Sequence, residues 1–333
     1  MQKPDSLIYL TPFSSTSPKM KFIFGISLFF VGWIQAQNLP SIAKMPDLPP
    51  GYFLRDWKKT ARDFDRLVFD ENRTGEFLPL IWADSAEVVN EVEGFGIPTY
   101  VGDSRQNSKT NIHEAITGIA SVLNGTLLGM DKSRYVPMLS SHFHQKNGIG
   151  LYLNQVGTRG DSFWYDLLPS LLFTHLYHHY PNTKGFTDQF HSIISKWEQI
   201  ARELDNDFDH TGYDFYTMQP VDRGWSEADV VAGIACLQYI GWKQTGKSSY
   251  LEMSKKCLDW MDLRKTNPYY ESLAPFGAYA SALYNAEQNG NHKTAKFIEW
   301  ILAGDNPRKW GAMLESWNGV PVHGLIAVSY THL

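Results

Sequence analysis

The chain has 333 residues, of which 43% are hydrophobic and 14% aromatic, and a formal net charge of −5 at pH 7. This composition can bury a sizeable core and excludes a disordered chain, which has low hydrophobicity and high net charge. A pI near 6.1 and the lack of a basic cluster also argue against a nucleic-acid partner.

The first 36 residues predict an upstream extension and a cleaved signal peptide. Lys19 and Lys21 precede an apolar stretch, Phe22 to Ile34, which is short for a membrane span. Ala36 offers a small residue for cleavage, and no cysteine follows to carry a lipid anchor. The sequence therefore predicts a periplasmic or secreted protein with no membrane attachment after cleavage.

Helical periodicity dominates the following domain, which is predicted to span residues 37–327. Helices are predicted at Tyr52–Glu71, Asn111–Met130, Arg134–Gln145, Asp161–Tyr180, Lys184–Leu204, Glu227–Thr245, Ser249–Met261, Glu271–Gln288 and His292–Ala303, with another beginning at His323. Short turns alternate with long loops, and short turns join antiparallel helices into hairpins. The long loops are therefore expected to share one face of the domain.

Two kinds of helix alternate along the chain. The predicted helix Asp161–Tyr180 and the segment Glu227–Ile240 are apolar nearly all round, as buried helices are, whereas Lys184–Leu204 has a single apolar stripe. This succession predicts an all-α fold, an α/α toroid of the six-hairpin kind, incomplete at the C-terminus. An α-solenoid uses the same hairpins, but no fixed-period consensus is present.

Two further features bear on the limits of the domain and on its cysteines. The last six residues, 328–333, resemble read-through of a sequencing adapter, so we expect the natural protein to continue past Ala327. Cys236 and Cys257 are interpreted as small buried apolar residues, although an oxidising compartment would permit a bridge between them.

The long loops concentrate carboxylates, arginines and aromatic rings. Such a face suits a carbohydrate, because sugar rings stack on aromatic side chains and sugar hydroxyls bond to carboxylates. Glycoside hydrolysis needs two carboxyl groups, one protonated and one ionised. Asp209 and Glu271 are the candidate acid/base pair, with Asp161 and Asp214 in reserve.

Further residues on this face are predicted to bind the sugar. His210 and Tyr213 would orient it, and Trp164 and Trp225 would stack against it. A guanidinium pairs bidentately with a carboxylate, so the arginines favour an acidic sugar such as a uronate. The complete predicted substrate-binding set is His210, Tyr213, Arg159, Arg223, Trp164, Trp225, His113, Glu114 and Tyr270.

Structural interpretations remain open for several of these positions. Asp161 could cap its helix, Asp229 could complete a capping box that begins at Ser226, and Glu227 could favour the helix dipole. Tyr269 and Tyr270 could be core residues. The arginines could be ordinary loop ion pairs.

Motifs for metals and nucleophiles are weak. His175 and His179 have the spacing of two metal ligands on one helical face, but they lie at a helix C-terminus, where the dipole favours histidine. His142 and His144 carry a similarly weak signal. Neither G-x-S-x-G nor a P-loop occurs. No metal and no cofactor is predicted.

Six segments of the chain together resemble glycoside hydrolase family 154. These are PPGYFLRDWKKTARDFDRLVFD, GIPTYVGDSR, HEAITGIASVLNGTLLGMDKS, DSFWYDLLPSLLF, FDHTGYDFYTMQPVD and NPYYESLAPFGAY. The resemblance covers Pro49 to Leu325 and implies an exported toroidal enzyme that removes β-glucuronic acid from polysaccharides. It assigns no catalytic residue.

The leading hypothesis is therefore an exo-β-glucuronidase that acts on acidic glycans. One alternative is a polysaccharide lyase on the same scaffold, with Tyr213 or His210 removing the C5 proton of a uronate. The other is a glycan-binding or scaffold module without catalysis.

Overall fold

The computed structural model describes residues 56–84, 92–100, 102–104, 106, 114–145, 147–155, 159–160, 162–303 and 305–308, together with the backbone of short strands between 311 and 327. The predicted signal peptide and the last six residues lie outside the described residues. No helix within the described ranges combines the length and apolar character that a membrane span requires.

Eight α-helices follow one another in the described chain. They are α1 Trp57–Val68, α2 Ala115–Leu127, α3 Phe163–His179, α4 Phe186–Glu203, α5 Val230–Thr245, α6 Ser248–Leu263, α7 Ala274–Gln288 and α8 Thr294–Ala303. Short strands form antiparallel pairs, β1 Trp82–Asp84 with β2 Gly94–Gly96, β3 Gly212–Asp214 with β4 Gln219–Val221, β5 Gly311–Met313 with β8 Leu325–Ala327, and β6 Ser316–Trp317 with β7 Val320–Pro321. The predicted all-α class is confirmed.

The helices form the two layers that the sequence predicts. α2, α3, α5 and α7 contact one another in that order, and α4, α6 and α8 each pack against the inner helix before them. Every residue of α5 from Val230 to Tyr239 is buried, whereas α4 buries mainly one stripe. Gly233 permits a close crossing of α3 and α5, because a Cβ there would lie 2.5 Å from Leu167 Cδ2. The alternation of inner and outer helices typical of an α/α toroid is confirmed.

The inner helices point the same way. At one end, the backbone N–H of Trp164 in α3 donates to Glu227 just before α5, and the N–H of Glu271 before α7 donates to Asp229. At the other end, Lys243 of α5 pairs with Glu287 of α7 at 2.7 Å. The long loops before α3, α5 and α7 therefore share one face, as predicted.

One predicted helix, Arg134–Gln145, is wrong. Only a 3-10 helix forms, at Pro137–His142. The chain then turns back, so that Phe143 pairs with Tyr152 in an isolated antiparallel bridge and the N–H of His144 donates to the carbonyl of Leu151. These non-local bonds use backbone groups that a continuing helix would need.

The helix predicted to begin at His323 is also wrong. Leu325–Ala327 is strand β8, and Ile326 faces Ala312 of β5 in an antiparallel register. A short apolar run does not by its periodicity distinguish a strand from a buried helix. The segment becomes a strand because the edge of β5 offers it hydrogen-bond partners.

Both cysteines are buried and free, as the preferred interpretation predicts. Burial in apolar surroundings raises the pKa of Cys236 and of Cys257 to about 12. These thiols are therefore inert core residues at neutral pH.

Candidate active site

Three carboxyl groups meet where α5 and α7 begin. Glu227 and Asp229 precede α5 and are 1% and 0% exposed, while the Glu271 side chain, before α7, is 13% exposed. The N–H of Glu271 donates to Asp229 Oδ2 at 3.3 Å. A group of acids so withdrawn from water departs from the usual exposure of carboxylates.

Glu227 accepts hydrogen bonds from two tryptophans. The indole Nε1 of Trp225 donates to its Oε1 at 2.8 Å, and the backbone N–H of Trp164 donates to its Oε2 at 3.1 Å. Burial raises the pKa of Glu227 to about 7, against the lowering effect of these hydrogen bonds, and the charge of Glu271 raises it further. Glu227 is therefore poised to exchange a proton near neutral pH.

Asp229 lies deeper than Glu227. Burial raises the pKa of Asp229 to about 7, and backbone N–H groups of the segment before α7 oppose that rise. Its Oδ1 is buried and has no hydrogen-bond partner among the described residues. α5 begins at Val230 with Asp229 as its N-cap, and the hydroxyl of Ser226 donates to Asp209, so the capping-box interpretation of Ser226 and Asp229 is wrong.

Glu271 is paired with a cation. Arg308 Nη2 lies 2.7 Å from Glu271 Oε1, and Arg308 Nη1 donates to the hydroxyl of Tyr270 at 3.2 Å. The guanidinium also lies over the Tyr270 ring, 4.9 Å from its centroid. Burial raises the pKa of Glu271, and Arg308 opposes that rise.

Aromatic rings border this acid cluster of Glu227, Asp229 and Glu271. The Trp225 side chain is 43% exposed beside Glu227. Trp164 is half-buried and packs against Tyr165 with ring centroids 3.9 Å apart. An exposed indole beside a carboxyl group is the kind of surface on which a sugar ring stacks.

Of the predicted catalytic residues, Glu271 belongs to this cluster and Asp209 has different neighbours. Arg264 binds Asp209 bidentately at 2.8 and 2.7 Å and lowers its pKa. Asp209 and Arg264 also line a separate cleft of about 550 Å³, against Trp260. A carboxylate fixed in this way is unsuited to act as a general acid.

Asp214 and Arg159 form an ion pair at 3.1 Å on the loop around β3. Asp214 Oδ1 also accepts the N–H groups of Tyr216 and Thr217, so it closes a turn. The described contacts of this pair are with each other and with the turn, rather than with the acid cluster.

The other predicted residues lie in varied surroundings. Tyr213 is completely buried and its hydroxyl donates to Glu203. His210 lies between Asp222, 2.8 Å away, and Asp207. Arg223 is exposed after β4, Glu114 immediately precedes α2, and Tyr270 binds Arg308. His113 and Asp161 lie outside the described residues. The roles assigned to all these residues stay predictions.

Glu227 and Asp229 form the centre of the cluster, although the sequence analysis gave them only structural interpretations. Their signal is two acids, two positions apart, at the head of an all-apolar inner helix. Such acids must be buried with the helix. Arg308 was not predicted, because nothing local connects it with Tyr270, 38 positions earlier.

A second cluster of polar residues has a composition that could hold a metal ion. Asp259, Asp262 and His292 place one ligand atom each within 4.8 Å of one another. In the structure these atoms already have partners, since His292 Nδ1 lies 2.7 Å from Asp262 and Lys255 lies 2.6 Å from Asp259. The described contacts thus form an ion-pair network between α6 and the start of α8.

No protein-family model and no curated protein matches the chain. Among solved structures, a GH76 α-mannanase from Bacteroides thetaiotaomicron is 12% identical with a TM-score of 0.48, over 75% of this chain and 71% of that chain. A protein from Listeria innocua is 12% identical with a TM-score of 0.43, over 66% and 67%. Likenesses this distant carry no argument about activity, and the resemblance to family 154 stays a prediction.

The raised pKa of Glu227 has a consequence for stability. Its pKa rises from 4.5 to about 7 on folding, so between these values the native state binds more protons than the unfolded state. The contribution of Glu227 to the free energy of unfolding should therefore fall as pH rises from 4.5 to 7. Urea titrations at both pH values should show that Glu227→Gln gains stability relative to the wild type over this range, whereas the exposed Glu252→Gln should not; an unchanged difference between Glu227→Gln and the wild type would contradict the assignment.

Proposed function

We propose that this protein is an exported glycoside hydrolase of acidic glycans, with Glu227 as general acid and Glu271 as base or nucleophile. The observation that carries the proposal is a buried carboxyl group, with a pKa near 7, beside a second carboxyl group and an exposed indole. Enzymes that cleave glycosidic bonds need such a pair, with one group protonated and the other ionised near working pH.

The surroundings of the two groups support opposite roles. Burial keeps a proton on Glu227, which can pass it to the glycosidic oxygen as the bond breaks. Burial raises the pKa of Glu271 as well, but Arg308 opposes that rise and favours the ionised form that a base or nucleophile requires. A sugar reaches Glu227 when the indole of Trp225 leaves its carboxyl oxygen, and the same indole offers a stacking surface.

Two features favour a substrate with a carboxylate. Arg308 presents a guanidinium beside Glu271, and guanidinium groups bind carboxylates in a bidentate fork. The N-termini of α3, α5 and α7 also converge on this face, and helix N-termini favour anions. With the resemblance to family 154, these features support an exo-β-glucuronidase.

The proposal is tested with purified protein and paired 4-nitrophenyl glycosides. We expect release of 4-nitrophenol from the β-D-glucuronide and much less from the β-D-glucoside, which lacks the carboxylate. Failure to cleave any aryl glycuronide or glycoside would overturn the proposal. A lyase would instead give an unsaturated, ultraviolet-absorbing product from a uronate polymer, and a binding module would give neither product.

Arg308 provides a sharper test of substrate class. Arg308→Gln should raise KM for the β-D-glucuronide about 10-fold or more, because a charge-assisted hydrogen bond to the substrate is lost. KM for the β-D-glucoside should change little. Arg73→Gln, at an exposed arginine on a loop, serves as the control. Equal effects of Arg308→Gln on both substrates would assign Arg308 to Glu271 alone.

A further inference from the structure

The segment before α7 is tied down at two points. At its start, Asn267 Nδ2 donates to the carbonyl of Trp300 at 2.8 Å, and Asn267 Oδ1 accepts the N–H of Tyr269 at 3.0 Å. At its end, Asp229 Oδ2 accepts the N–H of Glu271. The first tie connects the segment to outer helix α8, and the second connects it to the head of inner helix α5.

Asp229 is unusual among the residues that make these ties. Its carboxyl group is completely buried, and the N–H groups of Tyr270 and Leu273 also stabilise its ionised form. The one direct hydrogen bond described is from the N–H of Glu271 to Asp229 Oδ2, and it ties the carboxyl group to the segment Tyr269–Leu273. Asp229 cannot touch a substrate, because no part of it is exposed, and its side chain makes no cap hydrogen bond to its own helix.

We propose that Asp229 is a positioning residue, which fixes the segment Tyr269–Leu273 and thereby holds Glu271 in place relative to Glu227. Its catalytic consequence rests on the proposed function, whereas the anchoring itself does not. The N–H of Glu271 has the buried Asp229 Oδ2 as its acceptor, and losing the acceptor would leave a backbone donor without a hydrogen bond away from water, which is costly.

Hydrogen exchange tests the anchoring without any assay of activity. In Asp229→Ala, the amides of Tyr270, Glu271 and Leu273 should exchange about 10-fold faster or more, because the carboxyl group that they stabilise is lost. Asp229→Asn keeps an acceptor oxygen and should exchange nearly as slowly as the wild type. The matched control is Asp214→Ala, which removes a carboxylate with two backbone donors elsewhere and should loosen residues 216–217 only. Unchanged exchange at 269–273 in Asp229→Ala would overturn the proposal.

Kinetics on 4-nitrophenyl β-D-glucuronide test the catalytic consequence. Asp229→Ala should lower kcat about 100-fold with little change in KM, as misplacement of a catalytic group by about 1 Å does. Asp229→Asn should recover most of kcat, because its amide oxygen can still accept the N–H of Glu271. A large loss of kcat in Asp229→Asn would overturn the positioning role, and this outcome can be read even if the alanine variant does not fold. If the wild-type protein cleaves no substrate, the proposed function is wrong, but the hydrogen-exchange result still tests the anchoring.

Discussion

Glu227→Gln is expected to lower kcat/KM on an alkyl β-D-glucuronide by about 10²- to 10⁴-fold, the usual contribution of a general acid. Glutamine preserves the shape of the side chain, and its amide oxygen can still accept from either Trp225 or Trp164, but it has no acidic proton to give. The loss should be much smaller on 4-nitrophenyl β-D-glucuronide, because a nitrophenolate leaves without protonation. This difference between leaving groups distinguishes a lost acid from a distorted site.

The pH profile gives an independent check of the same role. A general acid must be protonated, so wild-type activity should fall as pH rises through about 7, the pKa to which burial raises Glu227. That alkaline limb should disappear in Glu227→Gln and persist in Glu252→Gln, an exposed glutamate of α6. If Glu227→Gln retained wild-type kcat/KM on the alkyl substrate, the acid would have to be another residue.

Asp65→Asn is expected to destabilise the fold by about 3–5 kcal/mol, the usual cost of breaking a buried ion pair. Asp65 of α1 and Lys132 after α2 are each 3% exposed at the side chain and lie 2.8 Å apart. The ammonium also lies 3.3 Å from the centroid of the Phe69 ring. Gly125 makes room for the pair, because a Cβ there would meet Lys132 Cε at 2.1 Å.

The cost arises mainly from the charge that is left behind. Without Asp65, the buried Lys132 ammonium loses its counter-ion, and burial already lowers its pKa. Urea unfolding at pH 7 measures the loss. The double variant Asp65→Leu with Lys132→Met should lose less than Asp65→Asn, because neither charge remains buried. Asp63→Asn, which breaks the exposed pair with Lys59, is the control and should lose little. A loss no greater than this control would contradict the role of the buried pair.

The organisation of the helices was predictable because its cause is local. Apolar periodicity placed all eight described helices, and six of them end within two residues of the observed limits, as α4 does at Glu203. The difference between helices apolar all round and helices with one stripe separated the inner layer from the outer layer. Loop lengths then placed the long loops on one face. Only short segments with non-local partners, such as β8, were assigned wrongly.

The identity of the acids at the site could not be predicted in this way, because their surroundings come from distant parts of the chain. Asp209 and Glu227 are both acids on the long loop before α5, and local sequence does not rank them. Arg264, 55 positions after Asp209, neutralises the first. Burial beside Trp225 and beside Trp164, 63 positions earlier, raises the pKa of the second. A pKa depends on desolvation and on neighbouring charges, which exist only once the helices have packed. The sequence by itself therefore determined the helices, their layers and the face that carries the chemistry, and the tertiary structure decided which carboxyl groups on that face meet away from water.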